Sequence, residues 1–505
     1  MRLASREGAV RSVAAQAAIY REVRRNHWLG STTIGLDLVA AHPAERAGPV
    51  AQGSGDGPGA GGMIGRLSGL INTALGTVSL ARDWVGVSLG RRAQPNLGAG
   101  RHVALFAWAL PPNSNAGVHR PLSFICHGSR FGWRFSTFQG ETPDNQSQHG
   151  DELLAKLPPG IRRVVIAPRS RPSSWRLFPR VDGGFPNAVE TARHAIDALH
   201  DDPPDIVLAS GPPFSMFLAA RWVARQFRVP LVLDYRDEWT QCPFDFVDAG
   251  PDDVRFERLC LSSAAATVFT TQSHLEHQLA SFAELDRSRA HLIPNGWEPE
   301  DFVSFAQPCV TQDRLGPLRI FHVGTLSGHT SPVVLVAALN RMLEREPYWR
   351  EHLRLTFIGR QSPEARMALA QCRFPEVIDS IDHVSKGEAV RFMASADALL
   401  LLAAPELERY LPGKLFDYVA AGRPVLIFGS GGESSQVLVR DLCVGVLCES
   451  PHEANLSDAL RMLLERRNTS LLGGEVAPWL QRHRRDILAG HAFTLFDQLI
   501  RREHT

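Results

Sequence analysis

The sequence predicts an α/β protein of two similar halves, each a parallel sheet with flanking helices, behind a partly helical N-terminal extension. Three observations predict it. At 505 residues the chain exceeds what one hydrophobic core usually supports. From Arg101 onward, short apolar runs of strand length alternate with amphipathic stretches, the order that gives a parallel sheet with crossover helices. The alternation lapses over Glu298 to Pro317, which holds three prolines and no helical or strand period, and then restarts. The expected organisation is an extension with a Gly-rich linker over 1–100, a first α/β domain over 101–300, a second over 301–480, and a C-terminal helix over 481–505.

Composition narrows the function classes. Hydrophobic residues make up 44% and charged residues 21% of the chain, ordinary for a globular protein. With 54 Lys and Arg against 53 Asp and Glu, there is no bulk positive field for nucleic acid. The seven cysteines, at 126, 242, 260, 309, 372, 443 and 448, form no CxxC pair and no disulfide framework. Apolar runs such as Ala398 to Ala404 have the length of a buried strand, far short of a membrane span. The N-terminus lacks an uninterrupted apolar signal core. The expected compartment is the cytoplasm.

Within the extension, Ser12 to His27 has a helical apolar spacing, and Ala47 to Gly65 is a Gly, Ala, Pro and Ser run too poor in large side chains to pack. Arg66 to Arg92 is amphipathic, with Leu67, Leu70, Ile71, Leu75, Val78, Trp84 and Val85 at near-helical spacing and arginines at its ends. Such a face suits peripheral contact with an anionic membrane; a helix packed on the next domain explains it equally.

In the first half, strands are expected at His102–Trp108, Arg134–Phe138, Val164–Ala167, Asp205–Ala209, Pro230–Asp234, Thr267–Thr270 and His291–Pro294. Helices are expected at Val118–Arg130, Asn187–His200, Phe214–Phe227, Val254–Ser263 and after Gln272. The second half offers strands at Leu318–Val323, Arg354–Ile358, Val377–Ile381, Ala398–Leu402, Pro424–Phe428 and Gly445–Cys448. Its helices begin near Pro332, Pro363, Lys386, Pro412, Ser434 and His452, and Trp479–Arg501 reads as a terminal helix leaning across the join.

Four strings follow expected strands, where open parallel sheets bind their ligands. Pro111-Pro112-Asn113-Ser114-Asn115-Ala116-Gly117 is a turn in which Gly117 lets backbone amides approach an anion; a plain turn fits as well. In Asp234-Tyr235-Arg236-Asp237-Glu238-Trp239, charges crowd the end of a buried strand, where they must be paired or functional. Asp234 or Asp237 can hold a sugar hydroxyl, with Arg236 paired to either. Phe321-His322-Val323-Gly324-Thr325-Leu326-Ser327-Gly328-His329 is a strand running into a two-glycine loop that suits a diphosphate. The fourth, Tyr410-Leu411-Pro412-Gly413-Lys414-Leu415-Phe416-Asp417-Tyr418 through Gly422-Arg423-Pro424-Val425, puts a cation and an acid three residues apart on one helix face. Gly422 closes that helix and Pro424 opens the next strand.

The fourth string resembles the donor motif of the retaining GT-B glycosyltransferases of family 4. Ser210-Gly211-Pro212-Pro213, the Asp234–Trp239 string, Ile293-Pro294-Asn295-Gly296 and His322-Val323-Gly324-Thr325 resemble landmarks of a subgroup tied to surface polysaccharide assembly. The resemblance spans about Arg101 to Leu464. It implies two Rossmann-like domains, a nucleotide-sugar donor, a saccharide or lipid-linked acceptor, no metal and no further cofactor. It also places Asp417 at the second of the family's paired acids, the one that holds the nucleotide ribose. The first acid's position is Arg409, with Glu406 and Glu408 nearby. The loop after Val323 lacks the family's lysine, so Lys414, then Arg360, become the expected grips on the diphosphate.

The implied site is therefore Asp234, Arg236 and Asp237 on the catalytic side, with Gly117, Gly324, Thr325, Arg360, Lys414 and Asp417 binding the donor. No HExxH or strand-end Asp-x-Asp spacing points to a metal. A sugar-nucleotide epimerase on the same fold, or a catalytically degenerate scaffold or assembly subunit, stand as alternatives.

Overall fold

The computed structural model describes residues 78, 80–87, 101–147, 149–168, 178–244, 246–305, 316–449, 451–467 and 471–503. The Ser12–His27 and Ala47–Gly65 readings lie outside the described residues. Of the Arg66–Arg92 segment, residues 80–87 are helical, and the Trp84 ring meets Phe185 edge-on at 5.0 Å. That end of the segment packs on the first sheet's helices.

The first sheet has seven parallel strands in the order β3-β2-β1-β4-β5-β6-β7. They are β1 (Arg101–Phe106), β2 (Trp133–Gly140), β3 (Arg162–Ile166), β4 (Ile206–Gly211), β5 (Leu231–Tyr235), β6 (Ala266–Phe269) and β7 (Ala290–Leu292). The second has six in the order β10-β9-β8-β11-β12-β13: β8 (Leu318–Val323), β9 (Leu353–Ile358), β10 (Ile378–Ile381), β11 (Ala398–Ala403), β12 (Val425–Gly429) and β13 (Gly445–Cys448). Both are Rossmann-like. Central strands such as β11, Ala-Leu-Leu-Leu-Leu-Ala, are buried throughout because helices cover both faces. Strand order reverses between β1 and β4, which pair Phe106 with Ala209, and between β8 and β11, which pair Phe321 with Leu399. At such reversals the loops on either side diverge and open a crevice.

Some details differ from the sequence reading, among them a short helix at Gly150–Leu154 that was not expected. The stretch after Glu298 is not wholly irregular, since Pro299–Phe305 is a 3-10 helix. A five-residue helix, Tyr348–His352, lies where none was expected and is too short to show a period. The terminal helix is two helices. Val476–Arg482 adds Val476, Trp479 and Leu480 to the second domain's core, whereas Arg485–Glu503 adds Leu488, Ala489, Ala492, Phe493 and Phe496 to the first domain's core. Between them the backbone straightens to pair with Trp297: Trp297 N donates to His483 O at 3.1 Å, and Arg485 N to Trp297 O at 3.0 Å. These bonds replace helical ones and let the chain cross from one core to the other.

Candidate active site

A cavity of about 470 Å³ lies between the C-terminal ends of the two sheets. Loops after β1, β5, β8, β9, β10 and β11 line it, so each strand reversal faces into it. Gly117, Arg236, Asp237, Gly324, Thr325, Arg360, Lys414 and Asp417 are all brought together in its wall. Asp234 is not.

Helix Gly413–Ala420 sets the second-domain side. Its Tyr418 hydroxyl is buried among strand ends, accepting from Val323 N at 2.9 Å and lying 3.3 Å from Leu400 O. That anchor fixes the helix start against the β8 loop. Gly324 there has φ +142°, and a Cβ on it would lie 3.3 Å from Lys414 Nζ; only glycine suits both the backbone and the contact. Burial pushes the Lys414 ammonium down to about 8. Its neighbour His322, 3.3 Å away through Nε2, is driven well below the usual histidine range by burial and then by Lys414 itself. His322 is thus a neutral companion whose Nε2 accepts one Lys414 N–H, which leaves the ammonium's other donors to the cavity.

Asp417, only 6% exposed, lies on the same face. Its Oδ2 accepts from Lys386 Nζ at 2.5 Å, while Oδ1 has no hydrogen-bond partner among the described residues. Lys386 opens helix Lys386–Ser395, and no local sequence signal joined it to Asp417, 31 residues away. Arg360 reaches across to the other domain, donating to Ser114 Oγ at 2.8 Å.

On the first-domain side, Arg236 donates to the carbonyls of Gly211 (2.9 Å), Gly117 and Pro212, tying together the loops after β1, β4 and β5. It is a brace as well as a wall. Asp237 faces the cavity and has no hydrogen-bond partner among the described residues. Burial raises its carboxyl to about 6, opposed by Arg236 and assisted by Glu238. Trp239 is wholly buried and donates to Asp253 Oδ1 at 2.7 Å, so it is a core residue.

Asp234 belongs to a structural pair. Arg120 forks onto it, with Nε 2.9 Å and Nη2 2.7 Å from Oδ1, and also reaches Pro294 O at 2.8 Å. Ser210 Oγ donates to the other oxygen at 2.8 Å. The strand-end charge is therefore paired, and its partner came from a helix more than a hundred residues away that adjacency in sequence could not supply. Arg120→Ala would leave this carboxylate, 1% exposed, without its cation. The expected cost is about 3–5 kcal/mol of stability, measured by urea denaturation against Asp234→Asn/Arg120→Ala, which removes both charges and should recover part of the loss.

Arg409 does not line the cavity, and neither do Glu406 and Glu408. The Arg409 guanidinium turns instead to Glu238 of the first domain, at 3.0 and 2.7 Å. His119, His149, Lys386 and Arg485 are wall residues that sequence reading did not single out, and His383, an acid/base candidate only under the epimerase alternative, is there too. Among the described residues, no group of three His, Cys, Asp or Glu is placed to hold a metal ion, and no helix is long and apolar enough to cross a membrane.

The class that this architecture defines is the GT-B fold, and comparison with solved structures agrees. HepE of Anabaena, solved with UDP and glucose, superposes with a TM-score of 0.56 at 15% identity, covering 79% of this chain and 99% of that one. Sucrose-phosphate synthase of Thermosynechococcus elongatus gives 0.58 at 15%, with coverage of 79% and 99%. A glycosyltransferase of Rickettsia africae gives 0.58 at 10%, with coverage of 80% and 99%. No curated protein matches the chain in sequence. Residues 129–296 match the glycosyl transferase 4-like domain, and the two-sheet frame is that of the GT-B fold.

Proposed function

We propose that the protein moves a sugar from a nucleotide-sugar donor to a saccharide or lipid-linked saccharide acceptor, with retention, in the assembly of a surface polysaccharide or related glycoconjugate. The observation that carries this reading is the cavity's chemistry. Six Lys or Arg side chains face three Asp or Glu in its wall, and Lys414 stands over the Gly324 loop. Solved HepE holds UDP and glucose, which supports a nucleotide-sugar ligand here.

In this reading the donor diphosphate rests on Lys414 and on the Thr325 and Gly328 amides, with Arg360 beside it; the Gly324, Leu326 and Ser327 amides already donate to Ile358 O, Arg360 O and Thr330 Oγ1. As the glycosidic bond breaks, negative charge grows on the leaving diphosphate, and a fixed ammonium and aligned amides stabilise that charge without reorganising. Asp417 Oδ1 accepts from ribose hydroxyls. Asp237, a carboxylate above about pH 6, accepts from a sugar hydroxyl on the opposite wall. The acceptor enters on the face from which the diphosphate leaves, which gives retention. No residue is assigned as a general base.

A thermal-shift panel of UDP- and GDP-sugars tests this directly. A donor at a hundred times its Kd stabilises the native state by about 2.7 kcal/mol, a readable rise in Tm. If no nucleotide sugar moves the transition, the scaffold reading replaces this one. With a donor in hand, product analysis with and without acceptor separates transfer from epimerisation, since an epimerase consumes donor alone.

A further inference from the structure

The residue at position 409 is cationic where the family resemblance implies an acid, and its side chain leaves the cavity to cross between the domains. Arg409 Nε and Nη2 meet the two oxygens of Glu238 at 3.0 and 2.7 Å, a two-pronged contact with fixed geometry. Glu238 is fully buried, and His277 Nδ1 lies 2.6 Å from its Oε1. Around this pair the loop after β6 is tied to the second domain as well. Thr271 Oγ1 donates to Arg409 O at 2.6 Å, and Ser273 N donates to Glu433 Oε1 at 3.1 Å. Glu433 N in turn donates to Glu408 O at 2.9 Å, so the second tie reaches the same loop.

What this junction holds is the site itself. Arg409 ends the loop that leads through Tyr410, Leu411 and Pro412 into Lys414, and Glu238 directly follows Asp237. Tyr410, Leu411, Pro412, Lys414 and Asp237 all line the cavity, whereas the Arg409–Glu238 pair lies behind it. One ion pair therefore spans from the donor-side cation's loop to the acceptor-side carboxylate's strand end. Neighbouring residues on one chain cannot move independently, so the pair fixes how far apart Lys414 and Asp237 stand.

We infer that Arg409 and Glu238 are positioning residues, an interdomain latch that sets the closed spacing of the two halves of the active site. A buried carboxylate bonded from both sides tolerates little displacement, so the domains separate only when the latch breaks. The catalytic consequence rests on the glycosyl-transfer reading above; the domain spacing does not.

The test compares wild-type protein, Arg409→Ala, Arg409→Lys and Glu238→Gln by small-angle X-ray scattering, then by donor kinetics and calorimetric titration with UDP and GDP. Arg409→Ala is expected to raise the radius of gyration and to lower kcat by about tenfold or more, because a misplaced reacting group costs rate steeply. Affinity for the nucleoside diphosphate that binds wild-type protein should stay within about threefold, since Lys414, Gly324 and Asp417 sit on one domain. Arg409→Lys should fall between, and Glu238→Gln, which keeps the shape and removes the charge, should repeat the change from the other side. If both neutralising variants fold, as read by circular dichroism, and scatter like wild-type protein, the latch is refuted. Lack of transfer by wild-type protein counts against the functional reading only, and the scattering still decides the latch.

Discussion

Lys414→Ala is expected to cut donor turnover by roughly 10²–10³-fold, the loss typical of removing one preorganised group that stabilises transition-state charge. The fold should survive, because among the described residues Lys414 bonds only to the neutral His322 ring and its removal relieves a buried charge. Stopped assays of donor consumption against circular dichroism check both halves. The pH dependence carries the same residue's signature. Burial holds the free-enzyme ammonium at about 8, below its ordinary 10.5, so the cation is present below pH 8 and is lost as pH rises through it. Donor kcat/KM, which reports the free enzyme, should therefore fall above pH 8 and hold level below it down to about pH 6, where Asp237 takes up a proton. Binding measured between pH 8 and 10.5 should take up a proton, visible as a buffer-dependent heat. Lys414→Arg keeps the charge over the whole range and should abolish the alkaline fall even where its altered geometry lowers the rate. An alkaline limb unchanged in Lys414→Arg would take the diphosphate contact away from this residue.

Much of the fold was legible because both sheets are parallel and covered on two faces. Strands such as β11 are unbroken apolar runs, and helices such as Phe185–Ala198 carry a clear period. Legibility failed where length or tertiary context ruled. Tyr348–His352 is a single turn, and the break after Arg482 exists only because Trp297, far away in sequence, pairs with the backbone there. The site divides the same way. Residues on loops at the strand reversals could be found from strand-then-glycine or cation-and-acid spacing, and those strings do meet in one cavity. Partners could not. Asp234 looked like a cavity residue until Arg120 claimed it, and nothing near Arg409 in sequence names Glu238 as its partner. Lys386 escaped notice for the same reason: a lysine opening a capped helix is an ordinary helix start until the fold sets Asp417 against it. Side-chain pairing across domains is a property of the folded chain, and local spacing holds no record of it.

The Lys386–Asp417 contact gives the second large effect. In the proposed reading Asp417 has two jobs in one carboxylate: Oδ2 neutralises Lys386, and Oδ1, buried and without a hydrogen-bond partner among the described residues, accepts from the donor. A hydrogen bond to a charged group contributes about 1.5–3 kcal/mol, so Asp417→Asn should weaken donor binding by roughly 10- to 100-fold. It should also lower stability, because Lys386, whose side chain is 17% exposed, keeps its charge and loses its counter-ion. The two losses are separable. Adding Lys386→Gln to Asp417→Asn removes the stranded cation and should restore most of the denaturation midpoint. Donor affinity, measured by titration, should stay low, because a neutral amide oxygen is a weaker acceptor than the carboxylate it replaces. If the double variant instead regains wild-type donor affinity, Asp417 acts only by neutralising Lys386, and the ribose contact must be sought on another wall of the cavity.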